Sequence, residues 1–165
     1  MQPTAIATDS VDDGSGEAEA FEPPQPTCPA PANAVTAPTL TVSAAGQAVG
    51  MVMGSSTVST CNTTGADDRE DADPTEPLLV PSAGVLTVSL ADGWRFLWWE
   101  GFDTDADAEG ANVGPGTETP ERPQAIEISA PIRTGDSVLG VSAWAIRADG
   151  RAVAQVGGEA LIRVP

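Results

Sequence analysis

Residues 84–100 read GVLTVSLADGWRFLWWE, and this stretch holds the clearest strand signals of the chain. Its first half alternates Leu86, Val88 and Leu90 with small polar or β-branched residues, which is typical of a strand with one buried face. The dipeptide Asp-Gly at 92–93 then predicts a two-residue hairpin turn. The segment WRFLWWE follows as a second strand, so the stretch predicts antiparallel β-structure.

Similar β-rich segments occur on both sides, separated by turn residues, and no helical period lasts three turns. They are 39–45, 47–55, 56–61, 77–80, 124–130, 137–147, 148–156 and 159–165. A second Asp-Gly, at 149–150, predicts a hairpin between two of them. The pattern predicts an all-β protein, an immunoglobulin-like antiparallel sandwich of about 7–9 strands.

The first 27 residues differ from the rest in composition, with six acids, no base and few apolar residues. Such a segment buries too little apolar surface to offset its ordering entropy. We therefore expect residues 1–27 to form a disordered acidic tether and residues 28–165 to form the β-sandwich domain.

The charge balance excludes several classes of function. The chain has 24 acids, seven basic residues that are all arginine, no histidine and a net charge of −17. Nucleic acid and anionic lipid head groups would repel it. Without histidine or lysine, Ser-His-Asp, Cys-His and Ser-Lys devices are impossible. We therefore expect no enzymatic activity. No apolar run approaches the length of a membrane span, so no transmembrane segment is expected either.

Cys28 and Cys61 are the two cysteines of the chain. Two cysteines without histidine cannot form a four-ligand zinc site. They are either buried thiols or a disulfide, and the exported character of the chain favours the disulfide. Closing a loop of this size would stabilise the fold by roughly 3–4 kcal/mol. We expect an extracytoplasmic location: secreted, periplasmic, or tethered to membrane or wall.

The Trp-rich segment suggests a binding surface. A regular strand would place alternate residues on opposite faces, the first face being Trp94, Phe96 and Trp98. Both faces are then largely apolar, although a strand against one core should alternate apolar and polar. We therefore predict a ligand- or partner-binding surface formed by Trp99, Phe102 and Arg95. The alternative is that Trp94, Phe96 and Trp98 fill the sandwich core while Trp99 and Phe102 lie under the loop over 103–123. We expect Trp144 to be a core residue.

Alternating acids follow directly, in the order Asp103, Asp105, Asp107 and Glu109. Their spacing suits oxygen ligation of calcium by a tight loop. However, the positions where a helix-loop-helix calcium loop needs Gly and Glu hold Ala108 and Gly114. The four acids are thus a weak candidate calcium site, and the alternative is a solvated acidic loop.

Three blocks of Pro, Gly and strand residues give the chain a family resemblance. The first block is Pro38, Leu40, Val42, Gly46, Val49, Gly54, Ser55 and Cys61. The second is Pro77, Leu78 to Pro81, Gly84, Leu86 and Val88, and the third is Ile128, Pro131, Gly135 and Asp136. Over residues 36–165 this order resembles small β-sandwich domains of uncharacterised bacterial lipoproteins and secreted proteins. In that pattern an aromatic residue follows the Gly-Ser segment, whereas this chain reads GSSTVSTC. The resemblance implies a β-sandwich fold and an extracytoplasmic location.

Together these features predict a non-enzymatic extracytoplasmic binding or interaction module. We expect its partner to be a protein or carbohydrate at the cell surface, and we expect no cofactor unless calcium binds. Two alternatives remain: a structural or assembly subunit, and a calcium-stabilised adhesion domain.

Overall fold

A computed structural model describes residues 20–69, 72–81, 84–103, 111–130 and 134–165. Within these ranges the chain forms twelve β-strands and no helix. The strands are β1 (Leu40–Ala44), β2 (Gln47–Gly50), β3 (Val52–Met53), β4 (Ser56–Thr60), β5 (Thr64–Asp67), β6 (Pro77–Leu79), β7 (Val85–Leu90), β8 (Trp94–Asp103), β9 (Ala111–Glu118), β10 (Ala125–Ser129), β11 (Gly135–Arg147) and β12 (Ala152–Val164). The all-β prediction is confirmed.

The number of strands is larger than the predicted seven to nine. That prediction was based on the alternation of apolar and polar residues. Strands β5 and β9 lie in acidic or Gly-rich segments, where no apolar alternation predicts a strand. The predicted strand over 47–55 divides into β2 and β3, and the last two predicted segments are joined by the single strand β12.

The strands form two sheets. One has four strands in the order β10-β7-β1-β2. The other has eight, in the order β5-β4-β12-β11-β8-β9, with β3 and β6 also paired to β12. All pairs are antiparallel except that of β6 with β12. Apolar side chains from both sheets share one core, with Leu40 and Leu86 from the smaller sheet and Phe96, Val141 and Val156 from the larger.

The Asp92-Gly93 turn does not form the predicted hairpin. The backbone N–H of Trp94 donates to the carbonyl of Ala91 over 3.3 Å, and Gly93 has φ +85°, so a tight turn is present. However, β7 pairs with β1 and β10, whereas β8 pairs with β11 and β9. Because both edges of β7 are already occupied, the turn carries the chain from one sheet to the other. The hairpin predicted at Asp149-Gly150 does form, between β11 and β12.

The segment before the first strand packs on the larger sheet. Cys28 and Cys61 form the predicted disulfide, with their Cα atoms 5.6 Å apart. Next to it, the backbone N–H of Thr27 donates to the carbonyl of Gly150 over 2.9 Å. Phe21 contacts Trp98 and Trp144, so residues 20–28, which we call the strap, lie against the domain. Residues 20–27, which the sequence assigns to the tether, thus include contacts with the domain, and residues 1–19 lie outside the described ranges.

Helices able to cross a membrane are absent from the described part of the chain.

Candidate functional site

A β-bulge in β8 decides which aromatic side chains face the core. Trp98 pairs with Trp144, but the next pair along the two strands is Phe96 with Ala145, so Leu97 is an extra residue. A bulge places two successive residues on one side of a strand. Leu97 and Trp98 therefore both lie on the outer face of the eight-stranded sheet, away from the shared core.

Because of the bulge, the predicted assignment of β8 side chains to the two faces of the sheet is wrong after Phe96. Trp94 and Phe96 are core residues, as predicted for the first face. Trp98 is on the opposite face, where it stacks on Phe21 with ring centroids 6.1 Å apart. Trp144, expected in the core, is half-buried on the same outer face, and its ring centroid is 6.5 Å from that of Phe21. We call Phe21, Trp98 and Trp144 the aromatic cluster.

Trp99 turns inward and packs against the core shared by the two sheets. It is paired with Ala143, which is fully buried in that core. Its ring lies over Gly114 of β9, where an added Cβ would be 2.2 Å from the ring. Trp99 and Phe102 therefore lie on opposite faces of the sheet, and the structure does not bring these two predicted site residues together.

Phe102 lies on the outer face, and Arg95 lies on that face near the other end of β8. Arg95 is paired with Ile146, and its Nη1 donates to the carbonyl of Trp94 over 2.8 Å. Seven positions along a strand put it about 20 Å from Phe102. The structure thus separates all three residues of the predicted site, and only Phe102 borders a cavity of the outer face.

That cavity has a floor of very small residues. Phe102, Gly140 and Glu159 form one row across β8, β11 and β12, and Val52 of β3 continues it. Ser142 and Gly157 stand side by side in the next row. These rows border a cavity of about 170 Å³. We call it the outer-face groove, bordered by Val52, Phe102, Ser142, Gly157 and Glu159.

The Phe102 ring lies over the floor of the groove. An added Cβ at Gly140 would lie 2.3 Å from the Phe102 ring, so the ring covers this glycine. Since Gly140 separates Phe102 from Glu159 in the row, the ring extends toward the glutamate. The Cα atoms of Phe102 and Glu159 are two strand spacings apart, about 10 Å. An aromatic face and a carboxylate therefore border the same small cavity.

The carboxylates around the groove lack arginine partners among the described residues. Glu159 borders the cavity, and Glu100 is paired with Ser142 in the adjoining row. Neither forms an ion pair within the described ranges, where arginines instead pair with Asp67, Asp136 and Asp149. Arg163 shows the effect of pairing, because its hydrogen bonds lower the pKa of the exposed Asp136 carboxyl below the ordinary value of an aspartate. The groove is thus a negatively charged site with one aromatic side.

Of the four predicted calcium ligands, only Asp103 is described. It ends β8 opposite Leu139, on the inner side of the sheet, and is 4 % exposed. Asp105, Asp107 and Glu109 lie outside the described ranges. Within those ranges, no three acidic or cysteine side chains are grouped in a way that would hold a metal ion.

Sequence reasoning missed Val52, Ser142, Gly157 and Glu159, which come from three separate strands. Their approach depends on strand pairing across the sheet, which periodicity does not predict. One signal was present: glycines inside apolar strands, such as Gly140 and Gly157, often mark a close approach of another group.

No protein-family model, no curated protein and no solved structure matches this chain.

Proposed function

We propose that this protein is a non-enzymatic, extracytoplasmic binding module and that the outer-face groove is its ligand-binding surface. The observation that carries the proposal is that Phe102 and Glu159 lie on either side of Gly140 and border the same cavity. Strand interiors normally carry side chains that cover the sheet, and glycine there weakens the strand. A row that instead leaves an aromatic ring and a carboxylate beside an open cavity is suited to holding part of a ligand.

The wider parts of the proposal have separate support. An immunoglobulin-like sandwich agrees with two mainly antiparallel sheets around one core, and with the resemblance to small domains of bacterial lipoproteins and secreted proteins. An extracytoplasmic location agrees with the disulfide, since such bonds persist in oxidising compartments. A non-enzymatic role agrees with a chain without histidine or lysine.

The experiment compares wild-type protein with Phe102→Ala on an array of immobilised peptides and oligosaccharides. We expect at least one ligand to bind the wild type and to bind Phe102→Ala about tenfold more weakly, because truncating an aromatic anchor removes its contact area. The melting temperature of each variant is measured in parallel, to separate lost binding from lost folding.

Val85→Ala serves as the matched control. Val85 is an apolar side chain with 55 % exposure on the other sheet, so its truncation should leave ligand binding unchanged. Equal binding by Phe102→Ala and the wild type to every array ligand would show that the groove is not the binding surface.

A further inference from the structure

The size of the outer-face groove limits what it can hold. Its volume of about 170 Å³ is small. Cavities for cofactors and drug-sized ligands are typically about 300–1,000 Å³. The groove therefore suits a single side chain of a larger partner better than a whole small molecule.

The chemistry of the groove favours a cation. The face of an aromatic ring attracts arginine and lysine heads within about 6 Å of its centroid. Phe102 offers such a ring, and Glu159 offers a carboxylate at the same cavity. Arginine fits this combination well, because its planar guanidinium stacks on a ring while its N–H groups donate to a carboxylate.

The charge distribution leaves this carboxylate available to a partner. Arg69, Arg147 and Arg163 are paired with aspartates away from the groove. Glu100 and Glu159 have no ion pair within the described ranges, and Glu100 is only one row away from Phe102. The net charge of −17 would further attract a basic partner over long range.

We propose, on the basis of the proposed function, that the outer-face groove receives an arginine or lysine side chain from a basic segment of a protein partner. Phe102 packs against the cationic head, and Glu159 accepts its hydrogen bonds. Glu100 adds charge to the adjoining row. The main chain of the partner then lies across the glycine floor of the sheet.

The test uses two capped pentapeptides, Gly-Gly-Arg-Gly-Gly and the same peptide with neutral citrulline in place of arginine. Each is titrated into ¹⁵N-labelled protein while amide chemical shifts are recorded. The arginine peptide should shift the amides of Phe102, Gly140 and Gly157, and the citrulline peptide should shift them much less. Glu159→Gln should weaken the arginine peptide about 3–10-fold, because it removes a charge without changing the side-chain size.

Glu127→Gln is the matched control, since Glu127 is an exposed acid on β10 of the other sheet. It removes one negative charge, as Glu159→Gln does, but should leave the peptide affinity unchanged. The proposal is overturned if both Gln variants weaken binding equally, or if shifts spread over the acidic loops instead of the groove. It is also overturned if citrulline or a neutral oligosaccharide shifts the same amides as strongly as arginine. That last result would leave the groove as a binding surface and so would not contradict the proposed function.

Discussion

Glycine determines where three large aromatic rings lie in this fold. An added Cβ would be 2.2 Å from the ring of Trp99 at Gly114, 2.6 Å from Trp98 at Gly116, and 2.3 Å from Phe102 at Gly140. Real Cβ atoms do not approach other heavy atoms so closely. Each ring can therefore lie against the backbone of a neighbouring strand only because that strand has no side chain there.

This packing predicts the effect of a single methyl group on stability. Gly114→Ala should lower the free energy of unfolding by about 1–3 kcal/mol, because Trp99 is packed against the core and has little space to move. Urea denaturation followed by tryptophan fluorescence would measure the change.

The control is Gly157→Ala, another strand glycine, whose added Cβ would lie 3.7 Å from its nearest neighbour, the carbonyl oxygen of Val141. That distance is an ordinary contact, so the variant should be about as stable as the wild type or slightly more stable. Equal urea midpoints for the two variants would contradict the packing described for Trp99.

Among structural elements, the bulged strand β8 shows how far periodicity can be trusted. A regular strand alternates faces, and up to Phe96 the predicted alternation is correct. One extra residue at Leu97 then reverses the order, since the side-chain period of a strand is two. Bulges depend on pairing with the neighbouring strand, so nothing within WRFLWWE predicted that Trp98 and Trp99 would exchange faces.

The strap has a consequence for the aromatic cluster beneath it. Phe21 lies over Trp98 and Trp144, close to a small apolar group formed by Leu97, Ile146 and Val153. Phe21→Ala should lower the free energy of unfolding by about 1–2 kcal/mol, through lost aromatic contact and buried area. Tryptophan emission should also shift to longer wavelength as the two indoles become more exposed.

Phe21→Leu keeps an apolar side chain and should fall between Phe21→Ala and the wild type in both measurements. Glu22→Gln changes an exposed neighbour and should behave like the wild type. If Phe21→Ala leaves both the emission maximum and the stability unchanged, the strap does not pack on the cluster in solution.

At the scale of the whole molecule, net charge is the dominant electrostatic property. A charge of −17 on 165 residues implies self-repulsion in the folded state. Raising NaCl from about 20 mM to about 500 mM shortens the screening length several-fold and should raise the melting temperature by several degrees. Differential scanning calorimetry would measure the shift.

Melting temperatures measured in calcium chloride and in sodium chloride at the same ionic strength distinguish charge screening from calcium binding at a specific site. Screening alone predicts that calcium and sodium give melting temperatures that differ little at equal ionic strength. A markedly higher value with calcium, reversed by EDTA, would support the predicted ligands Asp103, Asp105, Asp107 and Glu109 and the calcium-stabilised alternative.

By itself, the sequence determined the all-β class and the mainly antiparallel strands, and it favoured a Cys28–Cys61 disulfide over buried thiols. The alternation of apolar and polar residues and the turn residues depend only on neighbours a few positions away in the chain, so the sequence alone shows them. Two cysteines can form only one intramolecular disulfide. The tertiary structure alone decided that the Asp92-Gly93 turn crosses between sheets. It also decided that Trp99 faces the core and that Phe102 and Glu159 border one cavity. These features depend on which strands pair and in what register, and the energies that choose the pairing come from residues far apart in the chain.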